Sequence, residues 1–270
     1  MSKFEILCVT MNQKDFSKIK EMNIKSDVVF ANQADRTEYE EISFDGHTAK
    51  MITTETRGVG KNRNFALMYA SSDICLLADD DCKYSDDMEE KILGEFSRHP
   101  DADVMIFYLE DDQDRGQKSY KKTKKCLPFG RTPWACFRVA FRLSSVKKAN
   151  INFTTLFGGG CKFPSGEDSM FIKDARKKGL TMYVSKETIG TVSFAESTWF
   201  TGYDQKYFFG VGAYYTAIKD NLILKFLYTL LRTRNKGDLS VRERLFWLKN
   251  GKKGYDEYLS YAEFKEKYSL

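Results

Sequence analysis

Up to about residue 110 the chain alternates between short apolar runs and longer stretches with helical spacing. Phe4–Thr10 (FEILCVT), Asp27–Ala31 (DVVFA), Ile74–Ala78 and Val104–Leu109 are dense in apolar residues, as strands covered on both faces are. Lys50–Thr53 is a weaker run of the same kind. Between them, Asp15–Met22, Asn62–Ala70 and Ser85–Ser97 read as helices. In the last of these Met88, Ile92, Leu93 and Phe96 share one face, and Ser85 is the expected N-cap. Strands alternating with helices predict an α/β fold with a largely parallel sheet.

After Glu110 the rhythm changes. Glu110–Lys125 is charged and reads as a loop or hairpin, and Trp134–Phe141 mixes aromatic and basic residues in a strand-like run. Phe157-Gly-Gly-Gly-Cys161 is a loop. Glu167–Lys178 is a helix with Gly179 just past its C-cap, and Thr181–Val184 is a short strand. From Tyr203 onward the chain is helical, aromatic and basic. The expected organisation is one compact domain over 1–200 and a helical extension over 201–270.

Composition narrows the class. The net charge of +5 is too mild to imply nucleic acid, but it is unevenly placed: Lys219–Lys253 holds ten Lys/Arg against three Asp/Glu. The six cysteines form no C-x-x-C pair, and with two histidines they give no zinc pattern. Cys8 and Cys75 sit inside apolar runs and read as core thiols of a reducing compartment. No signal peptide is visible, and no apolar run approaches the roughly 18–20 residues that span a bilayer. The protein is expected in the cytoplasm, free or peripheral on the inner face of the membrane.

Three segments carry candidate chemistry. Asp79, Asp80 and Asp81 directly follow the run Ile74–Ala78. Three carboxylates at one strand end repel each other unless a cation or donors sit among them, and strand carboxyl ends are where open α/β sheets bind ligands. A divalent metal carrying phosphates, or a solvated acidic turn, would each explain them. Arg57-Gly-Val-Gly-Lys61-Asn-Arg63-Asn64 puts two glycines and two cations at a helix start, a place that favours anions or simply makes a strand-to-helix turn. Ser165-Gly-Glu167-Asp168 has the spacing of a capping box, and it also offers a carboxylate to an acceptor hydroxyl. Separately, Leu222–Leu231 (LILKFLYTLL), followed by Arg232, Arg234 and Lys236, reads either as a core helix with a basic end or as an interfacial helix on anionic lipid.

Taken in order, FEILCVT, DVVFANQ, GVGKNRNFALMYASSDICLLADDD and Gly166-Glu-Asp168 resemble the family-2 glycosyltransferases of the GT-A fold. The D-x-D is weak alone, but the ordered set is specific, and the likeness covers about residues 3–200. Asp168 lies 87 residues after Asp81, which fits the family spacing. GRTPWACFRVAF and Ser197-Thr-Trp-Phe200 are similar, more loosely, to bacterial capsule or exopolysaccharide members. The resemblance implies a Rossmann-like mixed, mostly parallel sheet flanked by helices, with a nucleotide-sugar half over about 1–110 and an acceptor half over about 111–200. It implies an inverting transfer of a sugar from a UDP-sugar to a glycan or lipid-linked glycan hydroxyl, dependent on Mn²⁺ or Mg²⁺.

The resemblance also implies roles. Asp81 would bind the metal bridging the diphosphate, with Asp79 on the ribose or sugar side and Asp80 beside them. Thr10, Lys61 and Arg63 would meet the nucleotide. Asp168 would be the base, supported by Glu167. The chain departs from the family at Asn32-Gln33-Ala34-Asp35, where Asp-Asp-Gly-Ser is usual, so that an amide of Asn32 or Gln33 would take the base contact. It departs again at Val192–Glu196, where the family often has a histidine and metal ligation would fall to Glu196, water or nothing. A nucleotidyltransferase is the nearest rival, but Met11–Asp15 lacks the glycines that its basic loop would need. A catalytically silent glycan- or lipid-binding protein of the same fold is the other rival; Asp79, Asp81 and Asp168 argue against it.

Overall fold

The structure, a computed structural model, describes residues 3–111, 120–127, 135–193 and 202–270. The described residues form two compact units. The first holds the sheet and the helices packed on it. The second holds 58–60, 154–167 and the C-terminal helices.

In the first unit the strands are β1 (Phe4–Met11), β2 (Asp27–Gln33), β3 (Glu38–Phe44), β4 (His47–Thr54), β5 (Ile74–Asp79), β6 (Cys82–Tyr84), β7 (Val104–Asp111), β8 (Lys124–Lys125), β9 (Val139–Arg142) and β10 (Met182–Val192). They make one sheet in the order β3-β4-β2-β1-β5-β9-β7-β10-β6, with β8 on β10. β4-β2-β1-β5 run parallel, as do β7 and β10. β9 is inserted antiparallel between β5 and β7.

The alternation along β1 explains the layering. Ile6 and Cys8 point to one face, where they join Met88, Ile92 and Phe96 of α3 (Met88–Arg98). Leu7 points to the other, with Ala66 and Leu67 of α2 (Val59–Tyr69), Leu143 and Val146 of α4 (Leu143–Lys148), and Phe171 and Ile172 of α5 (Glu167–Lys177). The short α1 (Lys18–Glu21) adds Ile19, the residue after Lys18, to the first layer. Both faces of the central strands are covered, which is why they read as unbroken apolar runs.

Register places the strand ends together. Thr10 of β1 lies opposite Asn32 of β2, and Val9 lies opposite Asp79 of β5. The carboxyl ends of β1, β2 and β5 therefore share one edge. Because β9 runs the other way, the 3₁₀ turn that precedes it, Cys136–Arg138, is brought toward the same edge.

The second unit holds α6 (Gln205–Ala217), α7 (Leu222–Thr233), α8 (Val241–Asp256) and α9 (Tyr261–Tyr268). α8 and α9 each open on a complete capping box, Ser240 with Glu243 and Ser260 with Glu263.

Some elements differ from the sequence expectation. α3 begins at Met88, not Ser85. The Ser85 hydroxyl is spent on Asp87 at 2.7 Å, and its N–H donates to Ile189 of β10 at 3.0 Å. The hairpin β3–β4 turns at Asp45-Gly46, both at positive φ, the two-residue signal for such a turn. β10 runs eight residues past the predicted Val184, through a polar stretch whose pairing with β7 is broken by register shifts. Trp134, Ser197–Phe200 and Glu196 lie outside the described residues.

Candidate active site

The residues gathered at the shared sheet edge are organised by one guanidinium. Arg63, in the second turn of α2, is 4 % exposed. Its Nη2 donates to Asp79 Oδ1 at 2.7 Å, and its Nη1 donates to Asp168 Oδ1. Asp79 ends β5 and Asp168 stands in the first turn of α5, 89 positions apart in the chain. The guanidinium lies 5.3 Å from the ring centroid of Phe153, which supports its position. Asp168 is held at its other oxygen by the backbone N–H of Cys136, at 3.0 Å. The partner for Asp168 is thus supplied by the antiparallel β9 insertion. A backbone N–H has no sequence signature, so Cys136 was invisible from the chain alone.

The capping box expected from Ser165 and Asp168 does not describe this helix start. α5 begins at Glu167, directly after Gly166, and the Asp168 carboxylate is turned to Arg63 and Cys136. Glu167 belongs to the second unit. There Gly158 has φ +111°, and a Cβ on it would come within 2.8 Å of the Glu167 carboxyl carbon and 2.5 Å of Val59. At least one glycine of the triple-glycine loop is therefore required by close packing.

The aspartate triplet divides into three environments. Asp80 accepts from the Thr10 hydroxyl, and its carbonyl accepts from Lys18 Nζ at 3.3 Å. Asp79 is raised above the ordinary carboxylate range by burial; Arg63 opposes this, while Asp168 and Asp80 add to it. Asp81 is pushed up to about 7, by burial first and then by the charges of Asp79 and Asp80. Its carbonyl accepts from Ser193 N at 3.2 Å, and its carboxylate accepts a weak hydrogen bond from Cys82 Sγ at 3.8 Å. Burial also drives the Cys8 and Cys82 thiols upward, so neither is a nucleophile.

A divalent metal is testable against this donor set. Among the described residues no three His, Cys, Asp or Glu side chains converge as a metal cluster. Asp79 Oδ2 and the Asp81 carboxylate are hard oxygen donors, with Asp80 between them in the chain. Two carboxylates completed by substrate phosphates are a common way to hold Mg²⁺, so the residues fit that group.

The remaining predicted positions differ in exposure. Lys61 is exposed in the first turn of α2. Gln33 ends β2 and is buried. Asn32 is fully buried with its amide spent inside the protein: Oδ1 accepts from Gln13 N at 3.0 Å, and Nδ2 donates to the Gln13 carbonyl at 3.0 Å and Thr53 Oγ1 at 3.1 Å. It pins the loop after β1. Asn62, next to Lys61, was not singled out from the sequence. It bridges the carbonyls of Thr10 and Ala31 at 3.3 and 2.6 Å and ties α2 to the ends of β1 and β2.

A family model, "Glycosyl transferase family 2", matches residues 26–163, just over half of the chain. Among solved structures, S. aureus TarS 1–349 in complex with UDP-GlcNAc superposes with a TM-score of 0.58 at 18 % identity, covering 97 % of this chain and 77 % of that one. The UDP complex of the same fragment gives 0.57 at 16 % identity, covering 94 % and 72 %. Among curated protein sequences no match is found. The chain belongs to glycosyltransferase family 2 and has the GT-A fold.

Proposed function

We propose that the protein is an inverting, metal-dependent glycosyltransferase that moves a sugar from a UDP-sugar to a hydroxyl of a glycan or lipid-linked glycan. The observation that carries this reading is the bridge Asp79–Arg63–Asp168. One guanidinium couples the carboxylate expected at the donor to the carboxylate expected at the acceptor. A shared TarS fold that binds UDP and UDP-GlcNAc supports a UDP-sugar donor.

In this reading Asp168 is the general base. Arg63 and the Cys136 N–H hold it in place, while each carboxylate oxygen keeps a second lone pair for an acceptor O–H. The acceptor oxygen attacks the anomeric carbon, its proton passes to Asp168, and the bond to the diphosphate breaks on the opposite face. Asp79 and Asp81 would hold a divalent cation, which supplies Lewis-acid stabilisation of the leaving diphosphate. In this reading Thr10, Asp80, Lys61, Gln33 and Arg63 would serve the donor, and Glu167 would support the base or the acceptor.

The test is Asp168→Asn. Turnover of a responsive UDP-sugar should fall by about 10²–10⁴, while donor affinity measured by calorimetry stays within a few-fold. Full activity in this variant would remove Asp168 from the chemistry.

A further inference from the structure

α7 is amphipathic the wrong way round for a helix that serves its own core. Its buried positions are Phe226, Thr229 and Thr233. The two threonines are satisfied inside: Thr229 pairs with the Tyr215 hydroxyl at 3.1 Å, and the Thr233 hydroxyl donates to the Thr229 carbonyl at 2.8 Å. The outer face carries Ile223, Leu224, Leu227, Tyr228 and Leu231, with the four aliphatic side chains 53–80 % exposed. At 100° per residue these five fall within an arc of about 140°. A continuous apolar stripe of that width, turned to solvent, costs free energy unless something apolar covers it.

The charges around the stripe select the cover. Arg232 lies along one border with Lys225, which is paired with Asp220 at 3.4 Å; Arg234 follows at the C-cap, and Lys236 comes two residues later. No acidic residue occurs between Asn221 and Gly237. A second copy docked across the stripe by a two-fold axis would set this basic border against another basic border. An acidic, apolar layer takes both the stripe and its border at once. We infer that α7 is an interfacial helix, lying in the plane of an anionic lipid surface with Leu224, Leu227 and Leu231 in the acyl boundary and the basic border at the headgroups. With 12 residues it lies on a bilayer instead of crossing it, and no helix among the described residues is long and apolar enough to cross one.

α7 shares no residue with the set assigned to sugar transfer, so the two readings fail separately. The experiment is co-flotation of the full chain with vesicles of phosphatidylcholine alone and of phosphatidylcholine mixed with phosphatidylglycerol, at low and at high salt. Binding should appear on the mixed vesicles at low salt and fall at high salt. The double substitution Leu227→Glu/Leu231→Glu places charge at exposed positions, where folding is undisturbed, and should weaken binding at least about tenfold. Arg232→Glu/Arg234→Glu should weaken it on mixed vesicles, while circular dichroism and UDP-sugar hydrolysis stay as in the parent. No binding to mixed vesicles at low salt would overturn the inference, as would binding indifferent to the leucine substitutions. A dimer in sedimentation that Leu227→Glu/Leu231→Glu dissolves, without vesicle binding, would assign the stripe to a second copy and overturn it too.

Discussion

At the residue scale the site depends on geometry more than on charge count. Arg63 offers two N–H donors in a fixed fork, one to Asp79 and one to Asp168. A lysine keeps the charge but brings a single ammonium on a flexible stem, so it can satisfy one carboxylate at a time. Arg63→Lys is therefore expected to lower kcat by about 10–10² through misplacement of Asp168, with a smaller change in KM. Equal loss in both would point to a pure donor-binding role. Asp81 differs from its neighbours because, among the described residues, the one side chain that donates to its carboxylate is the weak donor Cys82 Sγ. If a cation is its partner, Asp81→Ala should weaken donor affinity in Mn²⁺ by about tenfold or more, corresponding to loss of about 1.4 kcal/mol. The variant and the parent should bind equally in EDTA; equal affinity with metal present would place the cation elsewhere. The sequence made these charged residues legible because ionisable side chains announce themselves. It did not reveal Cys136, which acts through its backbone, nor that the amide of Asn32 is consumed by Gln13 and Thr53.

At the element scale, apolar density located the strands covered on both faces, β1, β2, β5 and β7, close to their observed ends. It missed β3 and the second half of β10, where one face is exposed or the ladder is bulged and the apolar signal is diluted. Helix α3 shows how a buried charge anchors such a region. Glu95 is 1 % exposed and receives Arg98 at 2.7 Å, Thr123 at 2.5 Å and Ser185 at 3.0 Å. Burial alone would raise its pKa, but the hydrogen bonds from Thr123, Arg98 and Ser185 together outweigh burial and hold it below the usual glutamate range. Because the folded value is depressed, its contribution is fully present above the unfolded pKa of about 4.3 and is lost as pH falls through the folded value. Glu95→Gln is therefore expected to cost about 1–3 kcal/mol at neutral pH. The gap from the parent should close progressively below the unfolded pKa. Urea unfolding at a series of pH values checks this, and a gap that widened toward acid would reverse the sign.

At the scale of the whole molecule the order of the elements was legible, because strand and helix alternate in the sequence. The packing of the C-terminal helices was not, since their aromatic content gives no partner list. Two glycines explain how α6 and α8 come so close. A Cβ on Gly212 would stand 2.1 Å from the Leu248 carbonyl oxygen, and one on Gly251 would stand 2.0 Å from that of Phe209. Neither obstacle is the flexible end of a side chain, so a methyl group can be accommodated only by separating the helix backbones. Gly251→Ala should then destabilise the unit built from α6–α9 by about 1–3 kcal/mol, even though alanine is the better helix former by about 1 kcal/mol in isolation. Because the sheet has its own two apolar layers, formed by residues of the first unit alone, the damage should be local. Hydrogen exchange read by mass spectrometry should show faster exchange in 205–217 and 241–256 with β1 and β5 still protected. Equal loss of protection in β1 and β5 would mean that the two units open in a single cooperative step.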